Sequence, residues 1–373
     1  MESAQSILII DLGSGSVGIS LAERTPGGGV RVSHTLRMPI RNIAGTHTSA
    51  FASLALQSVQ RGLETLGAVT PRPERAHIFF AAPWYKALIR DIDLKSKDPL
   101  RITHATLRKA VTDYTEHHSP ATSSGARAIE SIVSQAYVNE YPTTIRTQLR
   151  GTALRAALYE SFCDTPFADS VTEAIHAVFP RLPLAFHTFL FAFFAVMRDV
   201  AHIEHGILLD VGGEITDIAV VNRGCITYAS SFPVGSLSML RTLANSGSMA
   251  DAASRLTLFA NGELSESEAK TFGGKFDAAT TPWRDGYAAA IRKALTTTPV
   301  SGTVYLSADP ESLPWLQETI TRADVPLAQR SVGIPADFFS HQVQIGNSGV
   351  YDAFIALESL YSFTHADSLL PEH

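Results

Sequence analysis

The 373 residues are 45% apolar and 18% charged, with a formal net charge of -6. That length accommodates two or more domains with sizeable cores, and the acidic balance disfavours a nucleic-acid partner. Cys163 and Cys225 are the only cysteines, so no disulfide framework is expected and a reducing compartment fits.

The first residues carry Glu2 and no Lys or Arg ahead of a short apolar run, unlike a secretory signal. Three strands are predicted at Ser6–Asp11, Val17–Glu23 and Val30–Pro39, with Pro26-Gly27-Gly28-Gly29 turning the last two. A helix follows over Thr48–Leu66, where Phe51, Leu54, Val59 and Leu63 recur at helical spacing, and then a strand over Ala76–Ala81. After Pro83 the pattern restarts. Trp84–Leu94 reads as a Lys/Arg-rich strand, and Thr103 caps a helix over His104–Tyr114. Residues 118–125 read as a loop, Ser131–Val138 and Thr152–Phe162 as strands, and Val171–Phe179 as a helix. The run Leu182–Met197 is shorter than the ~18 residues of a spanning segment, and Leu184–Arg198 is expected to be a buried core helix. Strands follow at 207–211, 215–221 and 225–232, with helices across Ser236–Thr297. A strand at Thr303–Leu306, a helix at Leu313–Thr321 and a closing helix at Ser348–Phe363 complete the chain.

Two segments say nearly the same thing. Ile7-Leu8-Ile9-Ile10-Asp11-Leu12-Gly13-Ser14-Gly15-Ser16 returns 199 positions later as Ile207-Leu208-Leu209-Asp210-Val211-Gly212-Gly213-Glu214-Ile215-Thr216. Each is an apolar strand ending in Asp, then a Gly turn, then a second strand. Gly13, Gly15 and Gly18 match G-x-G-x-x-G, but a dinucleotide site needs that loop to open a crossover helix. Here the residues after it alternate like a strand, and no acid for a ribose follows at the required distance. A P-loop is excluded because G-K-[ST] is absent. A Gly-rich hairpin instead brings backbone N–H groups close to an anion, and an Asp at the strand end suits Mg²⁺ held through water. Two such hairpins would grip a phosphate chain from both sides, with hydroxyls from Ser14 and Thr216 added.

These residues resemble the actin-like ATPase superfamily. Asp11 to Ser16 is similar to its first phosphate motif and Asp210 to Asp217 to its second. The block after Pro83 sits where the group containing FtsA and PilM carries an extra subdomain. The resemblance implies an α/β, actin-like (ribonuclease H-like) two-lobed fold with duplicated half-domains and a small inserted α+β subdomain. The first half would comprise residues 1–83, 183–205 and 345–373, the insertion 84–182, and the second half 206–344. It further implies ATP or ADP with Mg²⁺, held by Gly13, Ser14, Gly15, Ser16, Gly212, Gly213, Thr216, Ser307 and Ala308, with Asp11 and Asp210 toward the metal.

Three departures temper the enzymatic side. Glu214 replaces the third glycine of the second motif. Ser307-Ala308-Asp309-Pro310 stands where the family has a Gly-Gly pair beside the adenosine. The stretch that supplies a water-positioning Glu or Gln offers only His187, read as a packed or capping residue. The implied function is a PilM-like, nucleotide-binding cytoplasmic scaffold of a type IV pilus or secretion assembly, with weak or absent ATPase activity, recruited to the inner membrane face without inserting. It would dock a membrane partner's short cytosolic tail near residues 84–182, where Lys86, Arg90, Lys95, Lys97 and Arg101 could meet an acidic tail. Self-association is a further possibility the resemblance raises. The alternatives are an FtsA-like division protein, a degenerate module that binds no nucleotide, and an active ATPase or sugar kinase. A tail without Lys or Arg after Phe363 weakens the FtsA-like reading, which needs a basic amphipathic end.

Overall fold

The computed structural model describes residues 6–25, 27–40, 48–67, 72–118, 125–143, 149–326, 330–346 and 351–365. Pro26 of the expected turn, most of the expected 118–125 loop, the start of the closing helix and the C-terminal tail lie outside them.

The first half opens with strands β1 (Ser6–Leu12), β2 (Ser16–Arg24) and β3 (Val30–Pro39), helix α1 (Thr48–Leu66) and strand β4 (Arg75–Phe80). All seven residues of β1 are buried, as expected of a central strand covered on both faces. The inserted block contributes β5 (Tyr85–Ile102), α2 (His104–His118), β6 (Ala126–Val138), β7 (Tyr141–Thr143), β8 (Leu149–Asp164) and α3 (Thr165–Val178). Strand β9 (Leu184–Thr188) and helix α4 (Phe189–Ala201) lead to the second half: β10 (His205–Val211), β11 (Thr216–Asn222), β12 (Cys225–Phe232), α5 (Ser236–Ala244), α6 (Met249–Ala260) and α7 (Glu266–Leu295). The chain ends with β13 (Thr303–Ala308), α8 (Leu313–Thr321), β14 (Ser331–Gly333), β15 (Val343–Ile345) and α9 (Ala353–Thr364).

The sheets show the duplication directly. One runs β15-β3-β2-β1-β4-β9 and the other β12-β11-β10-β13-β14. In both, the hairpin strand pairs antiparallel with its neighbour and parallel with the strand reached through the following helices. The inserted block builds a third sheet, β5-β8-β6-β7. Its outer part packs on α2 through Ile92, Ala156 and Leu158, while Ile132 and Tyr159 join the core of the first half. Helix α3 packs on that first half, with Val171 and Ile175 in the same core.

Several expectations are corrected. Leu184–Thr188 is a strand rather than the start of the core helix: it pairs parallel with β4, Ala76 opposite Leu184 and Phe80 opposite Thr188. An apolar run alone does not separate a buried strand from a buried helix. The basic strand runs on to Ile102, beyond the expected Leu94, accommodating Pro99 by a register shift between Lys95 and Leu100. The helices expected across 236–297 are present, three in number among the described residues. Ser248 caps α6, accepting from Ala250 N and Asp251 N, and a capping box at Ser265 starts α7.

Candidate functional site

The twin hairpins fold alike. Gly13 N donates to Ser16 O at 3.1 Å, and Gly212 N, 199 positions on, donates to Ile215 O at 3.0 Å. Outside groups hold the loop carbonyls. Trp84 Nε1 donates to Gly13 O at 2.9 Å, Ile40 N to Gly15 O at 2.9 Å, and Leu237 N, at the start of α5, to Gly213 O at 2.8 Å. The amides of Ser14, Gly15 and Gly213 make no backbone bond among the described residues. Amides left free in a glycine turn can receive an anion.

The two loops meet. Glu214 N donates to Ser14 Oγ at 3.0 Å. A Cβ placed on Gly213 would lie 2.6 Å from Gly15 Cα, and one on Gly15 would lie 3.0 Å from Gly213 Cα. Only residues without side chains fit at this contact. Beside it lies a pocket of about 310 Å³, lined by Asp11, Gly13 to Ser16, Arg37, Asp210, Gly212, Gly213, Asp309 and apolar neighbours that include Phe189 and Phe354. A larger hollow of about 430 Å³ lies among α5, α6 and α7. It includes neither hairpin, so the smaller pocket is the candidate site.

Charge is distributed unevenly around it. Asp11 Oδ2 accepts from Arg37 Nη1 at 3.0 Å. Burial nevertheless outweighs this pairing and lifts the Asp11 carboxyl to about 6. Asp210 is pushed well above the usual carboxylate range, first by burial and then by Asp217 and Asp11, against a hydrogen bond from Ser307; its Oδ1 has no hydrogen-bond partner among the described residues. Asp217, also raised by burial, to about 7, accepts from Ala82 N at 3.0 Å and from the Tyr85 hydroxyl. Glu214 turns away from the pocket. Arg241 grips its carboxylate bidentately, Nη1 to Oε1 at 2.6 Å and Nη2 to Oε2, while Ser238 Oγ adds a bond at 3.2 Å.

Of the predicted residues, Asp11, Gly13, Ser14, Gly15, Ser16, Asp210, Gly212 and Gly213 come together around one pocket. Three do not line it. Thr216 is fully buried with its hydroxyl committed, donating to Val234 O at 2.7 Å and accepting from Trp283 Nε1 at 2.9 Å. Ser307 bonds Asp210, and Ala308 is buried beneath; Asp309 reaches the pocket instead. His187 packs elsewhere, 2.9 Å from His77 and stacked on its ring. Sequence reasoning missed Arg37, Asp352 and Arg241, whose roles depend on partners distant in the chain.

A Mg-nucleotide was the cofactor expected for this site. The free amides suit phosphate, but the closed arrangement does not fit the whole group. The two loops touch, Arg37 engages Asp11, and Asp309 adds a third carboxylate to the pocket beside Asp11 and Asp210.

No family model matches the chain, and no curated protein matches it significantly. Among solved structures, a chain of the PilM–PilN type IV pilus biogenesis complex is similar with a TM-score of 0.63 and 11% identity, over 96% of this chain and 98% of that one. A Bacteroides thetaiotaomicron protein with actin-like ATPase fold and unknown function gives 0.41 and 11%, over 97% of each chain. The ethanolamine utilization protein EutJ from Carboxydothermus hydrogenoformans gives 0.43 and 14%, over 94% and 89%. The chain has the actin-like, two-lobed fold with duplicated halves and an inserted α+β block.

Proposed function

We propose that this chain is a PilM-like scaffold, working at the cytoplasmic face of a membrane through a partner and without appreciable nucleotide turnover. The observation that carries the reading is the closed cleft: Ser14 bonded to Glu214 and Gly15 against Gly213, at the place where the fold would process a phosphate chain. The likeness to a chain of the PilM–PilN complex supports it at the level of fold. Residues 84–182 form the docking unit in this reading, and the partner segment is the cytosolic tail of a membrane protein. Lys86, Lys95, Lys97 and Arg101 on β5 are exposed to receive acidic side chains, whereas Arg90 is half-buried, and burial raises the Glu160 carboxyl against the attraction of Arg90. No helix among the described residues is long and apolar enough to cross a membrane.

Single-turnover hydrolysis with purified protein tests the non-enzymatic part. Turnover near ~1 s⁻¹, the low end of ordinary enzymes, would overturn it. Flotation with anionic vesicles tests recruitment through a partner: the protein alone should stay unbound, and robust flotation would mean direct attachment.

A second reading keeps nucleotide binding in an opened form, and the unbonded amides of Ser14, Gly15 and Gly213 favour it. Thermal shift with Mg-ATP separates the two. A ligand at 100 times its Kd stabilises the folded state by about 2.7 kcal/mol; the scaffold reading expects no shift.

A further inference from the structure

In the first half three residues form a row across the sheet. Asp11 on β1 is opposite Gly18 on β2, and Gly18 is opposite Arg37 on β3. Residues paired across strands project to the same face. The middle position has no side chain, so Arg37 crosses β2 and reaches Asp11. A Cβ on Gly18 would lie 3.0 Å from Arg37 Nη2 and 3.2 Å from Asp11 Cβ. The matching row of the second half is Asp210, Asp217 and Ser231, with no cation.

The guanidinium is held by groups from three elements. Nη1 donates to Asp11 Oδ2 at 3.0 Å and to Ser16 Oγ at 2.9 Å. Nε donates to Asp352 Oδ2 at 2.7 Å, and Nη2 lies 2.6 Å from the same oxygen as an ion pair, without a hydrogen bond among the described residues. The other oxygen of Asp352 caps α9, accepting from Phe354 N and Ile355 N at 3.0 and 3.2 Å. The Phe354 ring lies 5.3 Å from the guanidinium carbon. Among the described residues, Arg37 is the only cationic side chain lining a pocket that holds Asp11, Asp210 and Asp309.

We infer that Arg37 is the built-in counter-ion of this cleft, taking the place of a divalent cation at Asp11 and fastening α9 to the first hairpin. A planar fork whose charge is fixed at any working pH suits this role better than a hydrated ion that can leave. The cleft is therefore metal-independent. Removing the guanidinium leaves Asp11, Asp352 and the Ser16 hydroxyl facing a common space, a donor set that suits a small hard cation keeping several waters.

Mn²⁺ binding, read by loss of the free-ion electron paramagnetic resonance signal, tests this without reference to hydrolysis, membranes or a partner. The wild-type chain should bind no Mn²⁺ in the ~0.1–1 mM range of weak carboxylate sites. Arg37→Gln should bind about one ion per chain and gain thermal stability with it. Arg37→Lys, which keeps the charge, should bind none. A stoichiometric ion on the wild type, or a folded Arg37→Gln that binds none, would overturn the inference. If Arg37→Gln does not fold alone, it is refolded with Mn²⁺. Recovery only with the ion supports the inference, and failure to recover overturns it.

Discussion

Gly213→Ala should drive the two hairpins apart. The added methyl would lie 2.6 Å from Gly15 Cα, 2.9 Å from Leu237 Cδ1 and 3.0 Å from Gly15 N, whereas carbon atoms settle at about 3.5–4.0 Å. Leu237 can rotate, but the Gly15 backbone cannot yield freely, because its carbonyl is held by Ile40 N. Roughly 1 Å of separation is needed. Overpacking of this kind costs about 1–3 kcal/mol, and the backbone contact puts Gly213→Ala near the top of that range. Gly15→Ala, with its closest approach at 3.0 Å, should cost about 1 kcal/mol on the same scale. The double variant should cost less than the sum, since loops already parted accept the second methyl. Gly274→Ala in α7 is the control: its methyl meets nothing within 4 Å, and the helix should gain roughly 0.5–1 kcal/mol. Urea unfolding reads all four, with an unchanged m-value as the sign that only stability moved. A Gly213→Ala variant within about 0.5 kcal/mol of wild type, the range of an uninvolved surface change, would refute the contact between the loops.

Glu358 on α9 is fully buried, neither oxygen has a hydrogen-bond partner among the described residues, and burial and then Asp11 raise its carboxyl well above 4.5. The unfolded chain therefore releases a proton that the folded chain keeps, and stability falls as pH rises above 4.5. Glu358→Gln should gain on wild type by up to about 1.4 kcal/mol per pH unit above that point; thermal melts at several pH values check it, and a gain that does not grow with pH contradicts it. His77 behaves in the opposite sense. Burial, then His187, holds it down to about 2, so only the unfolded chain takes up its proton, and stability falls as pH drops below 6.5. His77→Gln should flatten that fall by about one proton, measured as the pH slope of urea stability. Arg241→Ala should cost about 1–2 kcal/mol by stranding the half-buried Glu214, and Arg241→Ala/Glu214→Gln should recover part of it.

The repeated hairpin was legible because its information is local. An apolar run, an Asp and a glycine turn sit within ten residues, and strand period and turn chemistry read such a segment directly. The same local pattern singled out Asp11, Asp210 and the loop glycines, which line one pocket. Thr216 was misjudged because a hydroxyl next to a phosphate loop looks available until alternation turns it inward toward Trp283. Arg37 was invisible for a different reason. Its alignment with Asp11 depends on the turn between β2 and β3 and on a register shift between Ile19 and Leu21, neither of which can be counted from sequence. The partner that neutralises Glu214 lies 27 residues on, in α5 beyond β11 and β12, a pairing that only the fold reveals.

The ribbon of β5 and β8 has a mechanical consequence. At about 3.3 Å per residue, the paired stretch from Tyr85 to Lys95 is roughly 33 Å long, and β6 pairs with β8 along the same length. Its root is pinned by Tyr85 to Asp217 of the second half, and the adjoining Trp84 to Gly13 of the first. A hydrogen-bonded sheet resists bending in its own plane, and this one is stiffened further by β6 and by the packing of α2. In the scaffold reading, a partner tail bound at the exposed Lys95 to Arg101 end would load this sheet, and a stiff sheet would pass the load to its root beside the Trp84 indole. The emission of that indole, stacked 4.5 Å from Phe167, is the place to read engagement at the far end.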